Sequence, residues 1–155
     1  MRTEPFYRHK KLQSLQLEYM INDCSTFEQF EEKFSDEFLN EDNRVGDYLN
    51  ELIWKYEADN ATLSKKAGLD RSYVGNIVRG KKNNPSRDAL IAICLALGTT
   101  LEEVQYLLKY AGHAPLYVRK KRDVIIWFGF MKKRSIEDVD TDLDKRGYKT
   151  FIKPD

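Results

Sequence analysis

Within the stretch "LSKKAGLDRSYVGNIVRGKKNN", Leu63 to Asn84, four side chains fall on one face of a short helical segment: Arg71, Ser72, Asn76 and Arg79. These are side chains that hydrogen-bond to bases and phosphates. An Arg guanidinium bridges guanine O6 and N7, and an Asn amide matches adenine N6 and N7, each bidentate pair contributing roughly 1 to 3 kcal/mol of discrimination. Val74 and Ile77 form the opposite, inward face, and Asp70 reads as the cap. Upstream, Leu63 and Ala67 lie four residues apart on a preceding helix, and Gly68 can take the left-handed turn that ends it. The stretch therefore predicts two short helices meeting at a glycine, the second with a polar and basic outer face.

Charge along the chain supports a local basic surface rather than a globally basic protein. The 155 residues carry a formal net charge of +1. Residues 1–58 hold seven basic and thirteen acidic side chains, whereas residues 59–87 hold seven and two. Residues 119–134 form a second basic island, seven against one, which could add phosphate contacts or serve as a partner surface. The length suits one ordinary domain, or a small domain with an arm.

Other chemistries find little footing. His9 and His113 stand in no H-E-x-x-H or H-x-x-H spacing, and His113, after Gly112, reads as a helix-end residue. Cys24 and Cys94 have no metal-like spacing and read as reduced, buried thiols. There is no glycine-rich phosphate loop after a strand and no G-x-S-x-G elbow. The carboxylates of residues 28–51 look like the solvated side of a phenylalanine-bearing helix. Neither catalytic residues nor a metal or cofactor are expected. The N-terminus lacks the apolar core of a signal peptide, and the longest apolar runs, "ALIAICLAL" and "VIIWFGFM", fall far short of the roughly 20 residues that span a bilayer, so a soluble cytoplasmic protein is expected.

The elements that must position the basic face read as nearly all helix. "KKLQSLQLEYMI" puts Leu12, Leu15, Tyr19 and Met20 on one stripe, and "STFEQFEEKFSDEFL" does the same with Phe27, Phe30, Phe34 and Phe38 as a core-type stripe behind a capping box from Ser25 to Glu28. A helix over about Val45 to Tyr56 turns Tyr48, Leu49, Leu52, Ile53 and Tyr56 inward. After the two short helices, Asn84 and Pro85 are read as the cap and start of a helix that runs through Leu97 to Gly98. A capping box from Thr100 to Glu103 opens another that closes at Gly112.

The chain then repeats itself. At an offset of 35, residues 87–116 and 122–151 share 7 of 30 identities against roughly two expected by chance, among them Arg87 with Arg122, Asp88 with Asp123 and Gly112 with Gly147. Thr100 and Ser135, both cap residues, fall in register. A duplicated two-helix unit is the reading, the alternative being coincidence between two amphipathic pairs. Where Leu97, Gly98 and Leu107 become Lys132, Lys133 and Asp142, the second copy is expected to pack at an edge and expose "KKR" at 132–134.

With those residues in order, 45 to about 108 resembles the phage-repressor type of helix-turn-helix domain, the Cro/C1 or XRE class. The features that match are Leu63, Ala67, Gly68, Leu69, Val74 and Ile77, then Arg79-Gly80-Lys81, Pro85 and "ALGTTLEEV". The resemblance implies that the helix from about Arg71 to Arg79 lies in the major groove of double-stranded DNA. It carries base reading onto Arg71, Ser72 and Asn76, with Tyr73 a thymine-methyl or phosphate contact, and phosphate clamping onto Asn60, Arg79, Lys81 and Lys82. Many members pair a Glu before the Arg-Gly with a basic residue of the first helix; those positions are here Val78 and Ile53. An apolar pair can replace an ion pair at little cost in stability. Gly75 is a second departure, costing roughly 1 kcal/mol relative to Ala in a helix, and either admits close approach of the DNA backbone or reduces contacts. "GKKNNP" is one residue longer than the commonest spacing to the proline.

The expected architecture is all-α: an acidic N-terminal helical arm over 1–42, a five-helix repressor-like bundle over 43–116, and over 117–155 a helix pair repeating 87–116. The expected function is sequence-specific DNA binding by a transcriptional regulator, a repressor and homodimer. Its interface would come from the N-terminal helices or the second copy of the repeat. The alternative class is a protein-interaction or antitoxin-like adaptor on the same scaffold, with a protein partner on the N-terminal arm or residues 117–155.

Overall fold

The computed structural model describes residues 14–38, 43–82 and 84–153, and every regular element among them is a helix. The chain divides into two units, Met1–Glu41 and Asp42–Asp155. In the first, α1 (Ser14–Met20) runs into a 3-10 turn at Ile21–Asp23, and α2 (Phe27–Phe34) is followed by another at Ser35–Glu37. Thr26, not Ser25, caps α2: its hydroxyl accepts from Gln29 N at 3.2 Å, while Gln29 Oε1 accepts from Ser25 N at 2.7 Å. Ser25 and Thr26 each have a Glu or Gln three residues on, so spacing alone does not choose between them. The phenylalanine stripe makes ring contacts, Phe30 to Phe34 at 4.9 Å and Phe30 to Phe38 at 6.0 Å, but it is not a core. No described residue of this unit is buried, and Phe27, Phe38, Leu15 and Tyr19 are exposed, because two short helices have too little surface to enclose them. Leu12 and His9 lie outside the described residues. Cys24 is half-exposed rather than buried, whereas Cys94 is fully buried and its thiol is pushed up to about 12 by burial.

The second unit begins with α3 (Arg44–Lys55), which turns Leu49, Leu52 and Ile53 into the core and leaves Tyr48 and Tyr56 half-buried. The short helices α4 (Asn60–Lys66) and α5 (Tyr73–Val78) follow, then α6 (Arg87–Leu97) and α7 (Leu101–Tyr110). Here too one cap differs from expectation. Ser86 Oγ accepts from Ala89 N at 3.1 Å and starts α6, while Pro85 precedes it, buried, its carbonyl 2.8 Å from His113 Nε2. The start lies two residues beyond the expected cap Asn84 and first residue Pro85, because Ser86 combines an extended cap backbone with a side-chain acceptor. Gly98 ends α6 at φ +77°. Thr100 and Glu103 form the capping box of α7 with both bonds present. Glu103 also accepts from Lys55 Nζ at 2.6 Å and from the Tyr56 hydroxyl, tying α7 to the end of α3. Burial pushes its carboxyl up, but these donors and Thr100 N outweigh that and hold it below its ordinary value.

Helices α8 (Lys121–Met131) and α9 (Ile136–Lys145) complete the unit, and they answer α6 and α7 at the offset of 35. Ser135 caps α9 as Thr100 caps α7, Lys133 takes a positive φ of 53° where Gly98 stands, and Gly147 takes 81° where Gly112 takes 77°. Leu116 N donates to Gln105 Oε1 at 2.8 Å, and Phe151 N, 35 residues on, donates to Asp140 Oδ1 at 2.7 Å. The two pairs pack crosswise, α6 against α9 and α7 against α8. Their ion pairs are reciprocal: Arg87 meets Asp123 at 3.0 Å, and Arg122 meets Asp88 at 3.0 Å. Each Arg also donates Nε to the carbonyl that ends its own pair, Ala114 at 2.9 Å and Lys149 at 3.1 Å. Exchange of i with j in this way is the signature of a local two-fold axis. One continuous core runs beneath all of it, from Leu49 through Ile77, Leu90, Ile93 and Leu107 to Ile126 and Leu143. Of the expected exposed "KKR", Lys132 and Lys133 are exposed while Arg134 is half-buried against Asp142 at 3.3 Å.

Candidate nucleic-acid interface

Two short helices cannot hold a defined crossing angle by themselves, so the outer face of α5 depends on what ties it down. Asp59 caps α4, accepting from Thr62 N at 3.0 Å and Thr62 Oγ1 at 2.9 Å. These two bonds, together with the nearby charge of Arg71, hold the Asp59 carboxyl below its ordinary range. Gly68, at φ +75°, ends the helix, with Leu69 N closing back to Ser64 O at 2.9 Å. A side chain at Gly68 would also collide with Ile152, since a Cβ there would lie 2.8 Å from its Cγ1; the C-terminal segment seats against this turn.

The turn leads into α5 through Asp70. Its carboxylate accepts from Ser72 N at 3.1 Å and Ser72 Oγ at 2.5 Å, its carbonyl accepts from Tyr73 N at 2.9 Å, and the Ser72 bonds hold its carboxyl below the ordinary range. The expected helix from Arg71 to Arg79 is shorter than its sequence pattern: Arg71 and Ser72 occupy the turn before it, and Arg79 is its C-terminal cap. Arg71 and Ser72 are exposed, as are Arg79, Lys81 and Lys82, while Tyr73, Asn76 and Asn60 are half-buried.

Two anchors of α5 escaped the sequence reading. Ser64 is fully buried; its hydroxyl donates to Asn60 O at 2.9 Å and accepts from Val74 N at 3.0 Å, supplying an acceptor to an N–H that the first turn of α5 leaves unpaired. At the other end, Asn43 Nδ2 donates to Val78 O at 3.0 Å. Gly46 lets α3 approach so closely that a Cβ there would lie 2.4 Å from Ile77 O. These contacts fix α5 beside Val78 and Ile53, which are both apolar. A serine on a face otherwise read as Leu63 and Ala67 gave no signal of its own, and Asn43 lies 35 residues from its partner.

On the outer face, Arg79 folds back over Gly75. A Cβ at Gly75 would lie 3.0 Å from Arg79 Nη1 and 3.2 Å from Nη2, and Nη2 donates to Asn76 Oδ1 at 3.0 Å. Gly75 is thus covered by a guanidinium. Lys82 Nζ stands 5.0 Å from the centre of the Tyr73 ring, and the Lys81 and Lys82 amides both donate to Asn76 O, at 2.8 and 3.1 Å. Tyr73, Asn76, Arg79 and Lys82 therefore form one connected patch. Arg71 lies toward Asp59 and the start of α4, where Asn60 sits. The arrangement offers cations and an amide on an outer helix face backed by the core.

In comparison with known families, a helix-turn-helix family model matches residues 59–104, from the Asp59 cap of α4 through the Thr100–Glu103 box to Val104. No curated protein and no solved structure matched the chain.

Proposed function

We propose that this chain, whose residues 59–104 belong to the Cro/C1 type of helix-turn-helix, binds double-stranded DNA in a sequence-specific way and acts as a transcriptional repressor in the cytoplasm. The observation that carries the reading is the outer face of α5 and the turn before it, where Arg71, Ser72, Tyr73 and Asn76 stand together, fixed from behind by Ser64 and Asn43. Set in the major groove, these four read base edges, with Arg71 and Asn76 offering bidentate pairs. Asn60, Arg79, Lys81 and Lys82 flank them and hold phosphates, which fixes register without reading sequence. Asn76 and Arg79 act as a unit, because the amide oxygen that would orient against adenine is held by the guanidinium beside it. One short helix offers few base contacts, so a homodimer on a two-fold site doubles them, its interface drawn from the N-terminal helices or the C-terminal pair.

Selection of bound sites from a random duplex library tests this, with Arg71→Ala/Asn76→Ala run beside the native protein. An enriched site that the double variant loses is the expected result. No enrichment at low salt would mean that the helix-turn-helix serves as a protein-binding scaffold instead.

A further inference from the structure

The pairs α6–α7 and α8–α9 correspond residue for residue, yet their surroundings differ. Helix α6 packs against α7, α9 and α4; α8 packs against α9 and α7, and among the described residues no third helix packs on it to a comparable extent. The place that α4 takes on α6 is open on α8. Its floor is apolar. Ile125 and Phe128 stand where α6 has the fully buried Leu90 and Ile93, but Ile125 is half-buried and Phe128 is 49% exposed. Tyr117, Val118, Phe128 and Met131 are the only large apolar side chains exposed among the described residues of the second unit, and all fall in one stretch of fifteen residues. Val118, Val124, Ile125 and Phe128 line a groove of about 680 Å³ whose rim carries five cations against the single acid Asp142. Arg134 and Arg146 both hold Asp142, each at 3.3 Å, which leaves Arg119, Lys121 and Lys132 without an ion pair among the described residues.

We propose that this groove docks an amphipathic helix of a partner protein, apolar on one stripe and acidic along its flanks, seated on α8 as α4 is seated on α6. What covers the equivalent face in the first pair is itself a helix, so the geometry of the seat is that of helix on helix. The apolar floor calls for apolar anchors, and the cationic rim calls for carboxylates, placed where the first pair has Leu97 and the second has Lys132. A DNA backbone would satisfy the cations but would leave Val118 and Phe128 facing sugar and phosphate, with nothing apolar to cover them. The groove is separate in sequence from the DNA-reading face of α5, so its occupancy can be measured without DNA.

The test pans a display library of 16-residue helical peptides against the full chain and then measures binders by fluorescence anisotropy on the native protein, Phe128→Ala, Lys121→Glu/Lys132→Glu and the control Arg71→Ala/Asn76→Ala. Thermal unfolding of each variant establishes that it is folded. Enriched peptides are expected to carry Leu or Phe at i, i+3 or i+4, and i+7 with Asp or Glu beside them, and to bind at least tenfold more weakly to both groove variants but equally to the control. An absence of enrichment, enrichment of basic sequences, or binding that survives both groove variants would overturn the proposal. So would displacement of the peptides by duplex DNA together with loss of DNA binding in Lys121→Glu/Lys132→Glu, which would assign the groove to the DNA surface.

Discussion

At the scale of single residues, Gly75 and Ser64 make opposite predictions. Gly75 lies inside a helix, and the atoms nearest to a Cβ placed there belong to the guanidinium of the exposed Arg79 side chain. Gly75→Ala should therefore stabilise the protein by up to about 1 kcal/mol, the helix propensity of Ala exceeding the cost of moving a guanidinium a few tenths of an ångström. The same methyl pushes Arg79 away from Asn76, so DNA affinity should change even as the thermal midpoint rises. A fall in the midpoint would mean that Arg79 is held in place far more tightly than its exposure suggests. Ser64→Ala runs the other way. It removes the acceptor of Val74 N in a fully buried site, so urea denaturation should show a loss of about 1 to 3 kcal/mol. DNA affinity should fall with it, because the start of α5 loses its tie to α4.

Among elements, the reciprocal pairs between α6 and α8 offer a graded comparison. The Asp123 side chain is 5% exposed and that of Asp88 29%, yet each faces the matching arginine at 3.0 Å. Asp123→Asn should cost about 3 kcal/mol in urea denaturation, because the buried carboxylate meets both Arg87 and Tyr117 N, whereas Asp88→Asn, at a carboxylate that water still reaches, should cost under about 1 kcal/mol. Equal costs would show that the local two-fold extends to the energetics, with solvent access making no difference. What the sequence displayed of these elements follows from range. Gly68, Gly98, Gly112 and the Thr100–Glu103 box act within a few residues, and their spacing states their role. Where two cap-type residues stand close together, as at Ser25 and Thr26 or at Asn84 and Ser86, spacing alone leaves the register open. The phenylalanine pattern marked an apolar face correctly but carried no information on whether anything covers it. The repeat was visible through seven identities. Its structural reach was greater, since Gln105 and Asp140 do the same work, an acceptor for the backbone N–H eleven residues on, with different side chains. At the site, the residue types at 71, 72, 76 and 79 suggested a polar outer face, of which Asn76 and Arg79 stand in contact while Arg71 and Ser72 precede α5; Ser64 and Asn43 could not be found without knowing what they meet.

For the whole molecule, the local two-fold bears on how two chains could associate. The faces of α6 and α7 that close on α9 and α8 are already used within one chain, so an intermolecular axis has to pass elsewhere. Salt dependence and sedimentation together decide whether such an axis exists. If the proposed assignments hold, Arg79, Lys81 and Lys82 neutralise about three phosphates per chain, the uncharged Asn60 releasing no counterion, and each contributes about −0.9 to the slope of log affinity against log salt. A dimer engaging both half-sites should therefore give a slope of about −5, and a single chain on an asymmetric site about −3. Lys81→Ala should lower the magnitude by about 2 in the first case and about 1 in the second, weakening all sequences alike, because a phosphate contact carries no base information. Sedimentation at micromolar concentration gives the stoichiometry independently. A monomer with a slope of about −3 would remove the dimer and leave the phosphate assignments standing. A slope near −1 would remove the assignments themselves, whatever the stoichiometry, since the cations beside α5 would then be making no more than a fraction of the contacts their positions offer.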